Sequence, residues 1–352
     1  MAYTTIDDPT AFHQTKLYTG NDSSRAITFD GNTDMQPDWS WFKARSEAYN
    51  HAAFDSVRGV QKLIRPNQIN AEETHSTTLT AFGSNGFSLG GGDAFTNADT
   101  VTYSSWHWKA GTSGSGTTTG SGTGKAYSYS VNTDAGFSIV KYIGNGTNGH
   151  TIPHHLGAVP QILWEKVTVG NTNNWGFYHH KIGNDKAMYM DQAGAATDDS
   201  FLNDTTPSST VVTLGSNMTN QDGKTFVMYS FAEKQGYSKF GSYKGNGNAD
   251  GTFIYTGFKP AFFMIKGAFG EPWLMYDNKR LGYNVRNDQL LANATTAEDG
   301  STASWYIDIL SNGVKLRGND TAINGTNANG YVFMAFAESP FVTSTGVPTT
   351  AR

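Results

Sequence analysis

Hydrophobic residues along this chain fall in short runs separated by turn residues, and one such pattern occurs three times. A proline opens each copy, an apolar or aromatic run follows, and a lysine closes it six positions later: Pro37 and Lys43, Pro160 and Lys166, Pro260 and Lys266. A second aromatic-rich run of matching length ends each copy, at residues 103–108, 226–231 and 331–336. A pattern that recurs at this scale predicts tandem modules of one fold.

Within the modules, apolar and polar residues alternate over short stretches, as in half-buried β-strands. Residues 136–142 and 237–243 both show this alternation, and each is followed by a Gly-Asn-Gly turn typical of a β-hairpin. Only residues 47–64 carry apolar side chains at helical spacing, which allows one short helix. The sequence therefore predicts an all-β chain of tandem antiparallel β-sandwich modules, jelly-roll or lectin-like, joined by a glycine-rich linker.

Changes in composition divide the chain into segments. Residues 111–125 are almost entirely glycine, serine and threonine, which predicts a flexible linker and a hinge. The full set of expected segments is an N-terminal attachment arm at 1–24, a first β module at 25–110, the linker at 111–125, a second β module at 126–234, a third at 235–341 and a C-terminal tail at 342–352. The arm suits either disorder or ordering against a neighbouring subunit. Modules two and three adjoin without a spacer and are expected to form a rigid pair.

Composition and charge exclude several classes of function. Among 352 residues there are 40 glycines, 21 phenylalanines, 17 tyrosines and 8 tryptophans, a mixture that favours short strands over long helices. The net charge is −5 and no stretch is strongly basic, so nucleic-acid binding is not predicted. Cysteine is absent, which removes disulfides and thiolate chemistry. No apolar run approaches the roughly 20 residues that span a bilayer, so membrane insertion is not predicted either.

Candidate chemistry is sparse. Five of the nine histidines fall in module two, where an imidazole metal site competes with ordinary turn positions: His150, His154, His155, His179 and His180. Module three lacks histidines at the matching positions, so no metal ligand is predicted. Two acidic turns resemble calcium loops but lack the glutamate at position 12. Neither a nucleophile elbow nor a phosphate-binding loop occurs, and the sequence predicts a protein that is not an enzyme, with no catalytic residues and no cofactor.

Aromatic residues have two possible roles. Most tryptophans lie at alternating positions inside apolar strands, which is typical of a core. Four other aromatic residues lie in loops that the modules do not share, and these are the candidates for surface binding: Tyr189 and Phe201 in module two, and Tyr283 and Trp305 in module three.

Several motifs together resemble the tail and other virion proteins of marine bacteriophages. They are Phe-Asp-Ser-Val-Arg-Gly-Val at 54–60, Trp-His-Trp-Lys-Ala-Gly at 106–111 ahead of the glycine-rich stretch, and His-Leu-Gly-Ala-Val-Pro at 155–160. The leader at 3–9 and the segment at 175–179 are also similar. Module three departs from the pattern, because Asp277 replaces the histidine found at position 179 of module two.

The resemblance implies a place in a virus particle. We expect a tail fibre or tail appendage subunit that contributes to host attachment, located in the virion and assembled in the host cytoplasm. The alternatives are a capsid-surface decoration or fibre protein and a carbohydrate-binding adhesin module. Expected partners are other virion proteins, a host-surface glycan or protein, and further copies of the chain, with a trimer favoured by analogy with fibres.

Overall fold

The structure, a computed structural model, describes residues 2–216, 218–286 and 288–349. These residues form 28 strands that pair antiparallel in several sheets, and two short 3₁₀ turns at Pro9–Ala11 and Ala303–Trp305. The prediction of an all-β, sandwich-type fold is confirmed. No helix in the described part of the chain has the length and hydrophobicity needed to cross a membrane.

Module one contains a six-stranded sheet in the order β1-β9-β3-β4-β5-β6 and a three-stranded sheet in the order β2-β8-β7. Apolar side chains between the two sheets form its own core. The short helix allowed by residues 47–64 does not form: Ala52–Asp55 and Gly59–Ile64 are strands joined by a turn, and Gly59 has a φ of 100°, outside the helical region. The strands are β1 (His13–Thr19), β2 (Arg25–Thr28), β3 (Trp39–Ala44), β4 (Ala52–Asp55), β5 (Gly59–Ile64), β6 (Glu73–Thr74), β7 (Leu79–Gly83), β8 (Gly86–Leu89) and β9 (Thr102–Trp108).

Module two contains an eight-stranded sheet in the order β10-β12-β13-β20-β15-β16-β17-β18 and a three-stranded sheet in the order β11-β14-β19, again with a core between them. Its strands are β10 (Thr112–Thr117), β11 (Thr119–Gly120), β12 (Ala126–Asn132), β13 (Phe137–Ile143), β14 (His150–Pro153), β15 (Ile162–Val169), β16 (Gly176–His179), β17 (Lys186–Tyr189), β18 (Thr197–Asp198), β19 (Val211–Leu214) and β20 (Thr225–Phe231).

Module three contains a five-stranded sheet in the order β21-β28-β23-β24-β25 and a three-stranded sheet in the order β22-β27-β26, with a third core between them. Its strands are β21 (Ser238–Tyr243), β22 (Phe253–Tyr255), β23 (Phe258–Gly267), β24 (Leu274–Asp277), β25 (Leu290–Leu291), β26 (Ile307–Leu310), β27 (Gly313–Leu316) and β28 (Tyr331–Pro340). The predicted closing runs of the three modules are β9, β20 and the first part of β28. The three strands occupy matching places, since each pairs with the strand that bears the lysine.

The glycine-rich segment at 111–125 is part of module two. Strand β10 pairs with β12 along six residues, and β11 pairs with β14. A Cβ atom on Gly114 would lie 2.7 Å from the Tyr129 hydroxyl, and one on Gly116 would lie 2.8 Å from the Tyr127 hydroxyl. The glycines thus let two tyrosine rings pack over the strand. From composition alone, glycines with this packing role cannot be distinguished from those of a flexible linker. The expected hinge at this segment is wrong.

The N-terminal segment is ordered from residue 2 onward. Strand β1 belongs to the large sheet of module one, where it pairs with β9. The preceding residues cross to module three, where the Thr4 hydroxyl donates to the Gln235 carbonyl at 2.7 Å. The arm therefore orders against a neighbouring module of the same chain. Of the predicted C-terminal tail, residues 350–352 lie outside the described residues, as does Met1.

A fourth core lies where the large sheets of all three modules meet. Aromatic rings contact one another across each of the three boundaries. The ring centroids are 5.0 Å apart for Trp39 and Trp164, 5.9 Å for Phe231 and Phe336, and 5.7 Å for Trp108 and Phe262. Contacts of this kind add to the area buried, and here they join module one to two, two to three and three to one. The three modules consequently form a closed ring, and the expected rigid pair beyond a hinge is not observed.

The closing lysines lie at equivalent buried positions in the ring. The Lys166 ammonium donates to the Ile69 carbonyl of module one at 2.8 Å, and that of Lys266 donates to the Gly194 carbonyl of module two at 2.9 Å. Lys43 is bound within its own module, by the Ala44 carbonyl at 2.7 Å. Burial lowers the pKa of each lysine to about 8. The three lysines thus share one kind of surroundings, as the repeat predicts.

Backbone hydrogen bonds close the same three boundaries. Two residues after each lysine, a carbonyl oxygen accepts from the amide of the preceding module in the ring. The N–O pairs are Glu72 to Thr168 at 2.9 Å, Ala196 to Ala268 at 3.0 Å and Glu298 to Arg45 at 2.7 Å. Each module therefore donates a backbone hydrogen bond to the next module in the ring.

Three equivalent glycines let a hairpin approach another loop closely. A Cβ atom on Gly20, Gly144 or Gly245 would lie 1.9, 2.4 or 2.2 Å from a backbone oxygen. We expect Gly144→Ala to lower the free energy of unfolding by about 1–3 kcal/mol, because backbone must move to admit the methyl group. Urea denaturation measures the change. Gly194→Ala is the control, since its Cβ would have no neighbour closer than 3.9 Å; equal stability of the two variants would contradict the prediction.

Candidate binding surface

The two aromatic candidates in module two do not form a binding surface. Phe201 is buried in the core between the two sheets, with 1% of its surface exposed, so its assignment to the surface is wrong. Its loop folds inward because burial of Phe201 and Leu202 removes two large apolar side chains from water. Tyr189 is half-buried: its hydroxyl donates to Asp199 at 2.6 Å, and its carbonyl accepts from the indole of Trp273 at 3.0 Å. Tyr189 therefore belongs to the boundary between modules two and three.

The two candidates in module three differ from each other. Trp305 is half-buried against the module core, and its carbonyl accepts from the Tyr276 hydroxyl at 2.7 Å. Tyr283 is 69% exposed, the largest exposure among the large apolar and aromatic side chains described. The structure does not bring the four predicted residues together, and only Tyr283 offers an open aromatic face.

Tyr283 lies at a cleft of about 630 Å³ on module three. The end of strand β26 and the residue after it also line the cleft, and Asn284 ties β26 to the Tyr283 loop. The Asn284 amide donates to the Ile309 carbonyl at 2.9 Å and its oxygen accepts from the Ile309 amide at 3.0 Å. The cleft is therefore bounded by two segments that are bonded to each other. A volume of this size suits a small polar molecule or a short part of a larger one.

Charged groups line the floor of this cleft. The Lys259 ammonium and the Glu338 carboxylate are 2.7 Å apart. Arg286 is 3% exposed, donates to the Asn278 carbonyl at 2.9 Å and lies 3.9 Å from the Asp288 carboxylate. Burial lowers the pKa of Arg286 and raises the pKa of Asp288. The lining offers hydrogen-bond donors, acceptors and one aromatic ring, which is the equipment of a binding site.

The histidines of module two do not converge on a metal. His154 contacts the Ser208 carbonyl at 3.1 Å, His179 the Phe333 carbonyl at 3.3 Å and His180 the Phe240 carbonyl at 2.9 Å. Burial lowers the pKa of His154 to about 4 and that of His179 to about 3, so both rings are neutral near pH 7. Within residues 2–216, 218–286 and 288–349, no group of three or more potential ligands is placed to hold a metal ion.

Sequence reasoning missed two exposed aromatic residues on β22. Phe253 is 43% exposed and Tyr255 is 57% exposed, while Ile254 between them is buried in the module core. The signal was available, because alternation along a strand places every second side chain on the same face. Alternation alone does not predict exposure here, because aromatic residues in strands are more often part of a core.

Comparison with known proteins gives one match. A protein-family model described as "Domain of unknown function (DUF7483)" matches residues 8–340, which include all three modules. No curated protein and no solved structure matches the chain significantly.

Proposed function

The chain belongs to the DUF7483 family, and we propose that it is a structural, non-enzymatic protein of a virus particle that contributes to attachment to the host. The most specific version of the proposal is a bacteriophage tail fibre or tail appendage subunit. It would be assembled in the host cytoplasm and retained in the virion. A capsid-surface decoration protein is the alternative position in the particle.

The closed ring of three like modules carries this proposal. Each boundary combines aromatic packing with a backbone hydrogen bond, a buried lysine adds a bond at two of the three, and the chain has no cysteine. Such an arrangement gives a rigid body without disulfides, which suits a protein that is folded in a reducing cytoplasm and then works outside it. The motifs at 54–60, 106–111 and 155–160 that resemble marine phage virion proteins point in the same direction.

The outer surface supports a role in contact with other molecules. The Tyr283 cleft and the aromatic pair on β22 both lie on module three, so this module would face the host-surface glycan or protein. Other virion proteins would bind elsewhere on the ring. A homotrimer is also proposed, by analogy with fibres. Because the three modules of one chain already close into a ring, the trimer would be an assembly of three such rings.

Antibody labelling of purified particles tests the proposal. We expect an antibody against the folded chain to label intact particles of the virus that encodes it, at the tail, and to slow adsorption to host cells. Labelling at the head would support the decoration protein instead. The control is the same antibody after absorption with purified protein. Detection of the protein only in the soluble fraction of lysed cells, and never in purified particles, would contradict the proposal.

A further inference from the structure

A groove of about 500 Å³ lies between modules two and three. Strand β22 forms one wall and presents Phe253 and Tyr255 on its exposed face; β21 forms the other wall. The Tyr3 hydroxyl of the N-terminal arm donates to the Gly257 carbonyl at 2.5 Å, two residues beyond Tyr255. The groove thus has two neighbouring aromatic rings whose side chains, two residues apart on one strand, are about 7 Å apart along it.

The repeated modules show that the fold does not need these aromatic rings. Strands β2, β14 and β22 make matching pairings, with β8, β19 and β27, although β14 also pairs with β11 on its other side. Each has an isoleucine buried in the module core: Ile27, Ile152 and Ile254. At the position of Phe253, module one has Ala26 and module two has Thr151. At the position of Tyr255 they have Thr28 and Pro153. Aromatic residues occur only in module three, at solvent-facing positions, which indicates a role in binding.

Polar side chains surround the rings. Lys181 belongs to module two, and Lys239 and Glu233 lie beside it, with their ammonium and carboxylate groups 3.0 Å apart. Lys181 has no ion pair with the described residues and leaves the groove with a net positive charge. The remaining polar lining includes the Ser242 hydroxyl and the His180 ring. Donors, acceptors and a net positive charge beside aromatic faces match a sugar that carries a carboxylate, since pyranose rings stack their C–H faces on aromatic rings while their hydroxyl groups form hydrogen bonds.

Addition of a peptide strand to the edge of β21 is disfavoured. The outward backbone groups of Phe240 are already occupied: its amide donates to the Glu233 carboxylate at 2.7 Å, and its carbonyl lies 2.9 Å from the His180 ring nitrogen. In module two, the matching strand β13 is instead covered by β12. Side chains that cap a free edge block the pairing on which strand addition depends. The groove is therefore suited to a ligand that is recognised by side chains.

We infer that this groove binds an acidic saccharide, with Phe253 and Tyr255 as stacking surfaces and Lys181 as the group that contacts the carboxylate. The inference rests on the proposed function, because host-surface polysaccharides are the source of such a ligand for an attachment protein. It assigns recognition to the boundary between modules two and three, apart from the Tyr283 cleft. Repeated copies on one particle would make weak single contacts sufficient.

Binding of the full chain to immobilised bacterial polysaccharides tests the inference. The probes are a panel of purified capsular and envelope polysaccharides, half containing uronic or nonulosonic acids and half neutral, measured by biolayer interferometry. We expect binding to acidic members that weakens as salt rises. The double variant Phe253→Thr/Tyr255→Thr, which uses residue types found in the other modules, should bind about tenfold more weakly or worse. Lys181→Ala should reduce the salt dependence.

Val347→Thr is the matched control, because it removes a similarly exposed apolar side chain that lines neither cleft. Tyr283→Thr tests the other cleft of module three. Unchanged melting temperatures establish that the variants fold. The inference is overturned if no polysaccharide binds, if only neutral ones bind, or if Tyr283→Thr loses binding while the double variant keeps it. If no polysaccharide binds and the double variant instead loses binding to a virion protein, the groove is a protein-docking surface and the inference is overturned. Particle labelling is independent: labelled particles without glycan binding leave the proposed function standing and remove only this inference.

Discussion

Replacing Arg280 with isoleucine is expected to lower the free energy of unfolding by about 3–5 kcal/mol, because it leaves a buried carboxylate without its partner. The Arg280 guanidinium donates to Asp277 at 2.7 Å, to the Met275 carbonyl at 2.8 Å and to Glu298 at 3.1 Å, and the Arg280 and Asp277 side chains are both fully buried. Arg280 holds the pKa of Asp277 below its usual value, so the carboxylate stays ionised. Its loss would leave that charge in a medium of low polarity.

The effect reaches across the boundary between modules three and one. Asp277 also accepts from the Trp106 indole of module one at 3.1 Å. Asp55 makes the matching contact in the ring, with the Tyr229 hydroxyl of module two at 2.7 Å, and pairs with Arg58 at 2.5 Å. In each case the ion pair lies at the end of a strand, and its carboxylate also binds a side chain on the closing strand of a neighbouring module.

Module two has an uncharged pair of residues in place of this ion pair. Its residues at the positions of Asp277 and Arg280 are His179 and Ile182, and the neutral histidine contacts a carbonyl of module three. The double variant Asp277→His/Arg280→Ile should therefore recover much of the stability that Arg280→Ile loses. Urea denaturation of the three proteins at pH 7 measures this. A loss of less than 1 kcal/mol in Arg280→Ile, or a double variant that is even less stable, would contradict the argument.

Three buried histidines together are expected to lower the free energy of unfolding by about 5 kcal/mol between pH 6.5 and pH 5. Burial lowers the pKa of His13, His51 and His179 each to about 3, from an ordinary value of 6.5. In this range the unfolded chain binds protons that the folded chain does not, so stability is complete above pH 6.5 and is lost as the pH falls toward 3. Each ring contributes up to about 1.4 kcal/mol per pH unit once the pH is well below 6.5, and the three together contribute up to about 4.

The charged neighbours of these rings do not reverse the direction. Asp277 raises the pKa of His13, whereas Lys43 lowers that of His51 and Lys181 lowers that of His179; burial is the larger cause in all three. Chemical denaturation at a series of pH values from 4 to 8 measures the slope. His179→Gln, which keeps a donor for the Phe333 carbonyl but cannot titrate, should reduce the slope by about 1.4 kcal/mol per pH unit. An unchanged slope in this variant would show that His179 is not a buried neutral group.

Part of the candidate site was accessible from sequence and part was not. Tyr283 was found because its loop differs between otherwise similar modules, and the structure leaves it exposed. Phe201 satisfied the same criterion and is buried, because loop position does not determine whether an aromatic ring turns inward. Phe253 and Tyr255 were passed over, since alternation in a strand identifies two faces without stating which one meets water.

The repeat, the strand content and the matching positions of Lys43, Lys166 and Lys266 could all be predicted from the sequence. These follow from local alternation and turn chemistry, which act over a few residues at a time. Three features are evident only in the folded chain: the modules close into a ring, the glycine-rich segment forms paired strands, and the large sheets share a core. Those outcomes depend on apolar faces finding partners more than a hundred residues away, and the one-dimensional pattern shows that a face must be buried but not against what.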